Sequence, residues 1–225
     1  MHYFIFPEVD TTLYSASGSK NTGLDEIVEI RKDMKADGTN VKASRILMKF
    51  DLTPISASIV RGLISSPKFY LNLYDANPQD IGYSQSLYAY PISQSWVPGE
   101  GYEGDIPVTQ EGASWDYRTG ANDEIYWISA SITSSYKQGG TFYTASYGSQ
   151  SFAWGTEDMR MDVTPVVNKW LDETYPNEGF ILKRSGSIGL EGTESGSGAE
   201  GDNTVLGNFI FFSRETNTIY PPKLE

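Results

Sequence analysis

The sequence predicts an all-β protein, a β-sandwich or jelly roll with one short helix, on three observations. Apolar and polar residues alternate over short runs, as in "RILMKF" and "KFYLNLY", the two-residue period of a strand with unlike faces. Turn formers recur between those runs: the chain holds 22 glycines and 11 prolines, alongside 15 tyrosines suited to strands. Only one segment, "MDVTPVVNKWLDE", joins a helical period to a full start signal. At 225 residues, 39% of them hydrophobic, the chain can bury a sizeable core and fits one large β domain.

The elements follow in order. "YFIFP" is an apolar run and "DTTLYS" comes after it; both are expected as strands. "EIVEIRKD" sets Ile27, Val28 and Ile30 against Glu29 and Arg31, a strand with one wet face. "KADGTN" is a turn around Asp37 and Gly38. In "SRILMKFDL", Ile46, Met48 and Phe50 face one way, Leu47 and Lys49 the other. Thr53 before Pro54 signals one or two helical turns in "TPISASIVRGLISSP". In "KFYLNLYDA", Phe69, Leu71 and Leu73 alternate with Tyr70, Asn72 and Tyr74, and "QSLYAYPI" is a further strand. Residues 98–113 form a glycine-rich excursion with little period. Strands are expected again at "EIYWIS", "TFYTASYGS", "SFAWG", "GFILKR" and "NFIFFSRE". In the helix Thr164 caps, Pro165 takes the first position, and Val166, Val167, Trp170 and Leu171 make the apolar face. Residues 186–204 are a low-complexity Gly/Ser/acid loop, expected to loop out. No linker splits the chain and no internal repeat is evident, so residues 1–225 read as a single domain.

Charge and cysteine narrow the function classes. The formal net charge is −12 with no basic stripe, which argues against nucleic acid and against an anionic membrane surface as partners. Arg31, Lys32 and Lys35 are the one close basic cluster, expected in solvent. No cysteine is present, which removes disulfides and thiolate metal sites. "MHYFIFPEVD" has no basic start and Pro7 interrupts its apolar run, so it does not read as a signal peptide, and synthesis in a cytoplasm is the default. No run is long enough to span a bilayer as a helix.

The catalytic inventory is thin. His2 is the sole histidine, so a Ser/His/Asp triad or a histidine metal site has no basis. Acid pairs such as Glu100 with Glu103, or Asp123 with Glu124, occur in loops where solvated carboxylates are the ordinary outcome. For ligand binding the candidates are Trp96, Trp115 and Tyr102, whose rings could stack on a sugar. Tryptophan's preference for burial makes Trp96 and Trp115 wall first and platform second. No cofactor is implied; calcium is the one metal that the loop acids suit, through Glu103 and Asp105 of "YEGD" or through Glu194, Glu200 and Asp202. Arg45, Lys49 and Asp51 lie on a core strand, where charge more often closes the fold, and Asp162 suits a turn or cap.

Several segments, taken in order, carry a resemblance. "DTTLYS", "SRILMKFDLTPI", "YAYPISQSWVPGEG", "GASWDYR", "MDVTPVVNKWLD" and "GFILKR" together resemble the DNRLRE-type domain, a jelly-roll module found beside polysaccharide lyases and on bacterial surfaces. The positions that match are 10–12, 45–51, 162–164 and 179–183. The close "FFSRETNTIYPPKLE" fits the same domain, though the family runs on through a final strand and the loops near Gly82 and at 186–204 depart from its pattern. The chain as a whole resembles virion structural proteins of marine tailed phages. The resemblance implies a β-sandwich of jelly-roll type with one short helix and no catalytic role. It implies display on head, neck or tail in several copies beside other virion proteins. The alternative it leaves open is a carbohydrate-binding module for host or environmental polysaccharide.

Overall fold

The computed structural model of the chain describes residues 2–34, 41–127, 139–187, 198–202 and 204–225. In chain order the strands are β1 (Pro7–Tyr14), β2 (Ile27–Ile30), β3 (Lys32–Met34), β4 (Val41–Phe50), β5 (Tyr70–Leu73) and β6 (Gln85–Pro91). They continue with β7 (Gly148–Phe152), β8 (Met159–Asp162), β9 (Phe180–Arg184), β10 (Phe209–Phe212) and β11 (Lys223–Leu224). The helices are α1 (Thr53–Val60), α2 (Thr164–Leu171) and the single turn α3 (Gly198–Gly201).

All strand pairs are antiparallel. One sheet runs β1-β4-β9-β6-β7, with β3 pairing β4 beside it. Facing it are β10-β2 and β11-β5-β8, which Asp75, just past β5, joins by a bridge to Phe211 of β10. The main core fills the space between these layers. Ile46, Met48 and Phe50 of β4 meet Leu71 and Leu73 of β5, with Phe69, Leu87, Phe180, Leu182, Phe209 and Phe211 around them. Alternation put these residues on the inner faces, and their burial supplies the hydrophobic drive for the sandwich.

The opposite face of the large sheet carries a second core. Leu13, Leu47 and Ile181 point there, and the irregular stretch 92–127 folds back over them with Ile92, Ala113, Trp115 and Trp127. β9, at that sheet's centre, is therefore buried on both faces, which is why "FILKR" is buried throughout, whereas β6 keeps Ser86, Tyr88 and Tyr90 half-buried on one face.

Both eight-residue helices start alike. Asp51-Leu52-Thr53-Pro54 closes β4 and opens α1; Asp162-Val163-Thr164-Pro165 closes β8 and opens α2. In each, the aspartate Oδ1 accepts the threonine N–H, at 2.8 Å for Asp51 and 2.9 Å for Asp162. Proline follows where its missing N–H is harmless. Val166, Val167 and Trp170 of α2 are buried, and Leu171 packs against the same core.

The structure corrects several expectations. The helical turns expected after Thr53 form α1, as long as α2, so the sandwich carries two eight-residue helices and the single turn α3 where one short helix was expected overall. Thr164 does not cap: it lies inside α2, its Oγ1 accepts the Phe69 N–H at 2.9 Å, and Asp162 holds the turn instead. "MRMD" is strand β8, unread because two methionines and a four-residue span give a weak signal. "EIYWIS" yields no strand over its described part, only a bridge from Tyr126 to Tyr117. "YFIFP" makes one bridge, at Ile5 to Leu224. β2 has no wet face: Glu29 is buried, accepting from Tyr14 Oη at 2.6 Å and pairing with Arg31. The turn at Asp37 and Gly38 lies outside the described residues, as does Lys35.

Candidate functional site

The glycine-rich excursion is held by one side chain. Asn21 is fully buried; its Nδ2 donates to the carbonyls of Pro98 (2.6 Å) and Ala113 (2.9 Å). Its Oδ1 accepts the N–H groups of Gly23 (3.1 Å) and Gly101 (2.9 Å). All four hydrogen-bonding positions of the amide are filled. The chain passes so closely that a Cβ on Gly99 or Gly112 would overlap Asn21, and both glycines hold positive φ. "PGEG" is therefore a clasp.

The predicted platform residues fall into this frame unequally. Trp115 is wall: it is buried, the Arg45 guanidinium sits 4.6 Å from its ring centroid, and a Cβ on Gly139 would overlap its ring. Trp127, buried beside it, donates its indole N–H to Ser114 O at 2.8 Å. Trp96 is half-buried at the edge of the same core and donates to Glu178 O at 2.8 Å. Tyr102 is exposed on the clasp, and no aromatic contact among the described residues joins it to either tryptophan. Neither ring of the expected pair offers a flat open face.

The predicted calcium ligands are engaged elsewhere. Asp105 Oδ2 accepts Tyr102 N–H at 2.9 Å and Thr109 Oγ1–H at 2.6 Å, which holds its carboxyl below the usual range. Glu103 pairs with Lys20, and its backbone N–H donates to Asp25. Burial, and then the charges of Glu103, Glu29 and Asp105, push the neighbouring Asp25 up to about 6. The second set is corrected outright: Glu200 and Asp202 neutralise buried cations, and Glu194 lies outside the described residues. Among the described residues, no group of three or more acids or histidines is placed to hold a metal ion.

Those buried cations form the main electrostatic feature. Glu200, 1% exposed, takes a bidentate pair from Arg45 (2.9 and 2.6 Å) and a third contact from Lys183 at 3.2 Å. Lys183 also donates to Arg184 O and Gly186 O. Burial pushes Lys183 down to about 8, against the pull of Glu200. Glu200 itself is held low by Arg45 and Lys183 despite its burial. Lys32, expected in solvent, is fully buried and binds Ala199 O, Asp202 O and Asp202 Oδ1. Arg184 donates to Gln85 Oε1, Ile30 O, Leu206 O and Gly207 O. Four cations thus pin residues 199–202 and 206–207 onto the sheet, so residues 199–202 of the low-complexity stretch do not loop out. Each lysine ammonium is engaged by carbonyls and a carboxylate, an arrangement of tethers.

The accessible chemistry is aromatic. Tyr3, Phe4 and Phe6 are 51%, 46% and 56% exposed. Lys223 Nζ lies 4.6 Å from the Phe4 ring centroid and 5.3 Å from that of Tyr74. Tyr74 meets Tyr220 at 5.3 Å, and Tyr220 stacks on Phe212 at 6.1 Å. A continuous strip of contacts therefore runs Phe4, Lys223, Tyr74, Tyr220, Phe212, and Phe6 is exposed two residues from Phe4 at its end. A second exposed ring, Trp154, stands alone on the turn after β7, 72% exposed at φ +71°. That left-handed conformation is costly for a bulky residue. Hydrogen bonds fix it: Ile81 N–H to Trp154 O at 2.8 Å and Thr156 N–H to Gln79 O at 2.9 Å. Sequence reading missed both features, because an apolar run looks the same whether it fills a core or lies on a surface.

No family model matches the chain, and no curated protein matches it. No helix among the described residues is long and apolar enough to cross a membrane.

Proposed function

We propose that the chain is a non-catalytic structural component of a phage particle, docked to neighbouring proteins through the aromatic strip of its terminal strands. The strip carries this reading. Contiguous exposed aromatics mark contact surfaces, and tyrosine and phenylalanine are enriched at interface centres. The rest of the design agrees: buried charge is used to fix loops, as a rigid shell component requires. Successive strands from β4 to β6 and from β7 to β10 cross between the two layers, which supports the jelly-roll topology of the resemblance. Repeated copies on a particle would give avidity to a weak single contact.

The test is incorporation. Phe4→Ser with Phe6→Ser changes only half-exposed rings and should leave thermal unfolding near that of the parent chain. Particles assembled with the double variant should lose this chain, read by mass spectrometry of purified particles. Full incorporation of the double variant would sink the proposal.

Trp154 favours a second reading, a carbohydrate-binding module. An open indole held by a fixed turn, with Gln79, Asp80 and Glu157 nearby in the pairing loops, suits stacking on a neutral sugar ring. A glycan panel probed with the parent chain and with Trp154→Ala separates the readings: binding lost in the variant favours the module.

A further inference from the structure

The N-terminal stretch has a property that its side chains do not announce. Ile5 and Leu224 exchange both backbone hydrogen bonds, Ile5 N–H to Leu224 O at 2.9 Å and Leu224 N–H to Ile5 O at 2.8 Å. Such a pair turns both polar groups of Ile5 toward β11. Alternation then turns the N–H and C=O of Phe4 and of Phe6 the other way, out of the sheet. None of these four groups has a backbone partner among the described residues. β11 is covered on its far side by β5. Residues 3–6, bridged through Ile5, therefore form the outer margin of that layer, an open edge bordered by two exposed phenylalanines.

Proteins usually blunt such an edge with lysine, proline or a bulge. Here Pro7 pairs with Phe50 of β4, in the other sheet, so its missing N–H falls outside the row that Phe4 and Phe6 present. The edge is also self-complementary. Two copies related by a two-fold axis through Ile5 set Phe4 opposite the other copy's Phe6, and Phe6 opposite its Phe4. Each opposed pair exchanges two N–H to O=C bonds, four in all, the pattern of an isologous interface. The same register sets His2, whose Nδ1 lies 2.6 Å from Glu225 Oε1 within its own chain, opposite Glu8 of the other copy. Lys223 over Phe4 places a cation inside the strip, and this locally offsets the repulsion expected between two chains of charge −12.

We infer that residues 3–6 are a pairing edge that joins a second copy of this chain by antiparallel strand addition. The inference rests on the assembly reading above and names the partner of that surface. Sedimentation of the purified full chain from about 1 μM to about 500 μM spans the range in which weak self-association shows. The parent chain should pass from monomer to dimer, and the Phe4 and Phe6 amides should exchange more slowly at the high end. Phe4→Pro removes one outward donor and keeps the inward bonds of Ile5; Phe6→Lys places a charge on the edge. Each should remain monomeric throughout, with an unfolding midpoint within a degree or two of the parent. A parent chain that stays monomeric across the series, or a dimer that persists in both variants, overturns the inference. A monomeric parent whose Phe4/Phe6 double variant still fails to enter particles would overturn the pairing edge alone and leave the assembly reading standing.

Discussion

Glu200 shows how one residue can decide a local structure from far away in sequence. It lies 155 positions from Arg45 and 17 from Lys183, and its carboxylate pairs with both. The carboxylate shared by two buried cations is the member whose loss removes the most pairing at once. Glu200→Gln would take from the buried Arg45 and Lys183 the carboxylate they share, at a cost on the order of 3–5 kcal/mol. Lys183→Met would leave the bidentate Arg45–Glu200 pair intact and remove the cation that burial already disfavours. Its loss should be about 1–2 kcal/mol, set by the carbonyls of Arg184 and Gly186 left without their donor. Urea denaturation of both variants at pH 7 checks the order. Equal losses would mean that Lys183 and Arg45 share the charge evenly, contrary to the geometry. Nothing in "GTESGSGAEGD" marks Glu200 apart from Glu194, because burial is a property of the folded neighbours.

At the scale of elements, Asn21 ties the clasp to the sandwich while making no contribution to the main core. Asn21→Ala deletes four hydrogen bonds and leaves the amides of Gly23 and Gly101 without acceptors, on the order of 3 kcal/mol of local stability. The loss should stay local: amides near 98–113 should exchange faster, and those of β4 and β9 should be unchanged. Uniform acceleration across the chain would show that the second core and the main core unfold as one unit. The same separation explains what the sequence revealed. β4, β5, β6, β9, β10 and α2 were legible because each has a full period of alternation or a start signal, and their inner residues meet in one core. β8 and the absent strand at "EIYWIS" were not, since Met159 and Met161 carry little strand preference while Tyr126 and Trp127 carry much. Burial of Glu29 and Lys32 was hidden because a charged side chain signals solvent until a partner from another element is known. Of the site, Trp115 as wall was legible from the general habit of tryptophan. The outward edge at Phe4 and Phe6 was not, because it depends on the Ile5 pairing with a residue at the other end of the chain.

For the molecule as a whole, the charge of −12 and the placement of its carboxylates predict a stability that rises on mild acidification. Burial pushes Asp10 up to about 7, only partly offset by the Arg214 N–H that donates to its Oδ2 at 2.7 Å. Asp25 is raised in the same way to about 6. A carboxylate raised in the folded state holds a proton there that the unfolded chain, near 3.8, releases. Folding stability therefore falls as pH rises from about 4 to about 7. The opposing groups act elsewhere. Glu200, Asp51, Asp105, Asp172, Asp202 and Glu225 are held low, so their stabilisation is complete above the ordinary carboxylate range and is lost only in stronger acid. Lys183 is lowered to about 8, so its penalty is nearly constant between pH 5 and 7 and eases only in alkali. Mutual repulsion of the surface acids weakens as they protonate, in the same direction as Asp10. The chain should accordingly be more stable at pH 5 than at pH 7.5, by about 2.5 kcal/mol from Asp10 alone, since pH 5 already lies above the unfolded value and only about two pH units of its shift are crossed. Asp10→Asn keeps an oxygen for Arg214 N–H and removes the titration; it should flatten most of that slope and raise stability at pH 7.5. Chemical denaturation of both chains at the two pH values decides the matter. A parent chain less stable at pH 5, or a slope untouched by the substitution, would place the dominant titration outside Asp10.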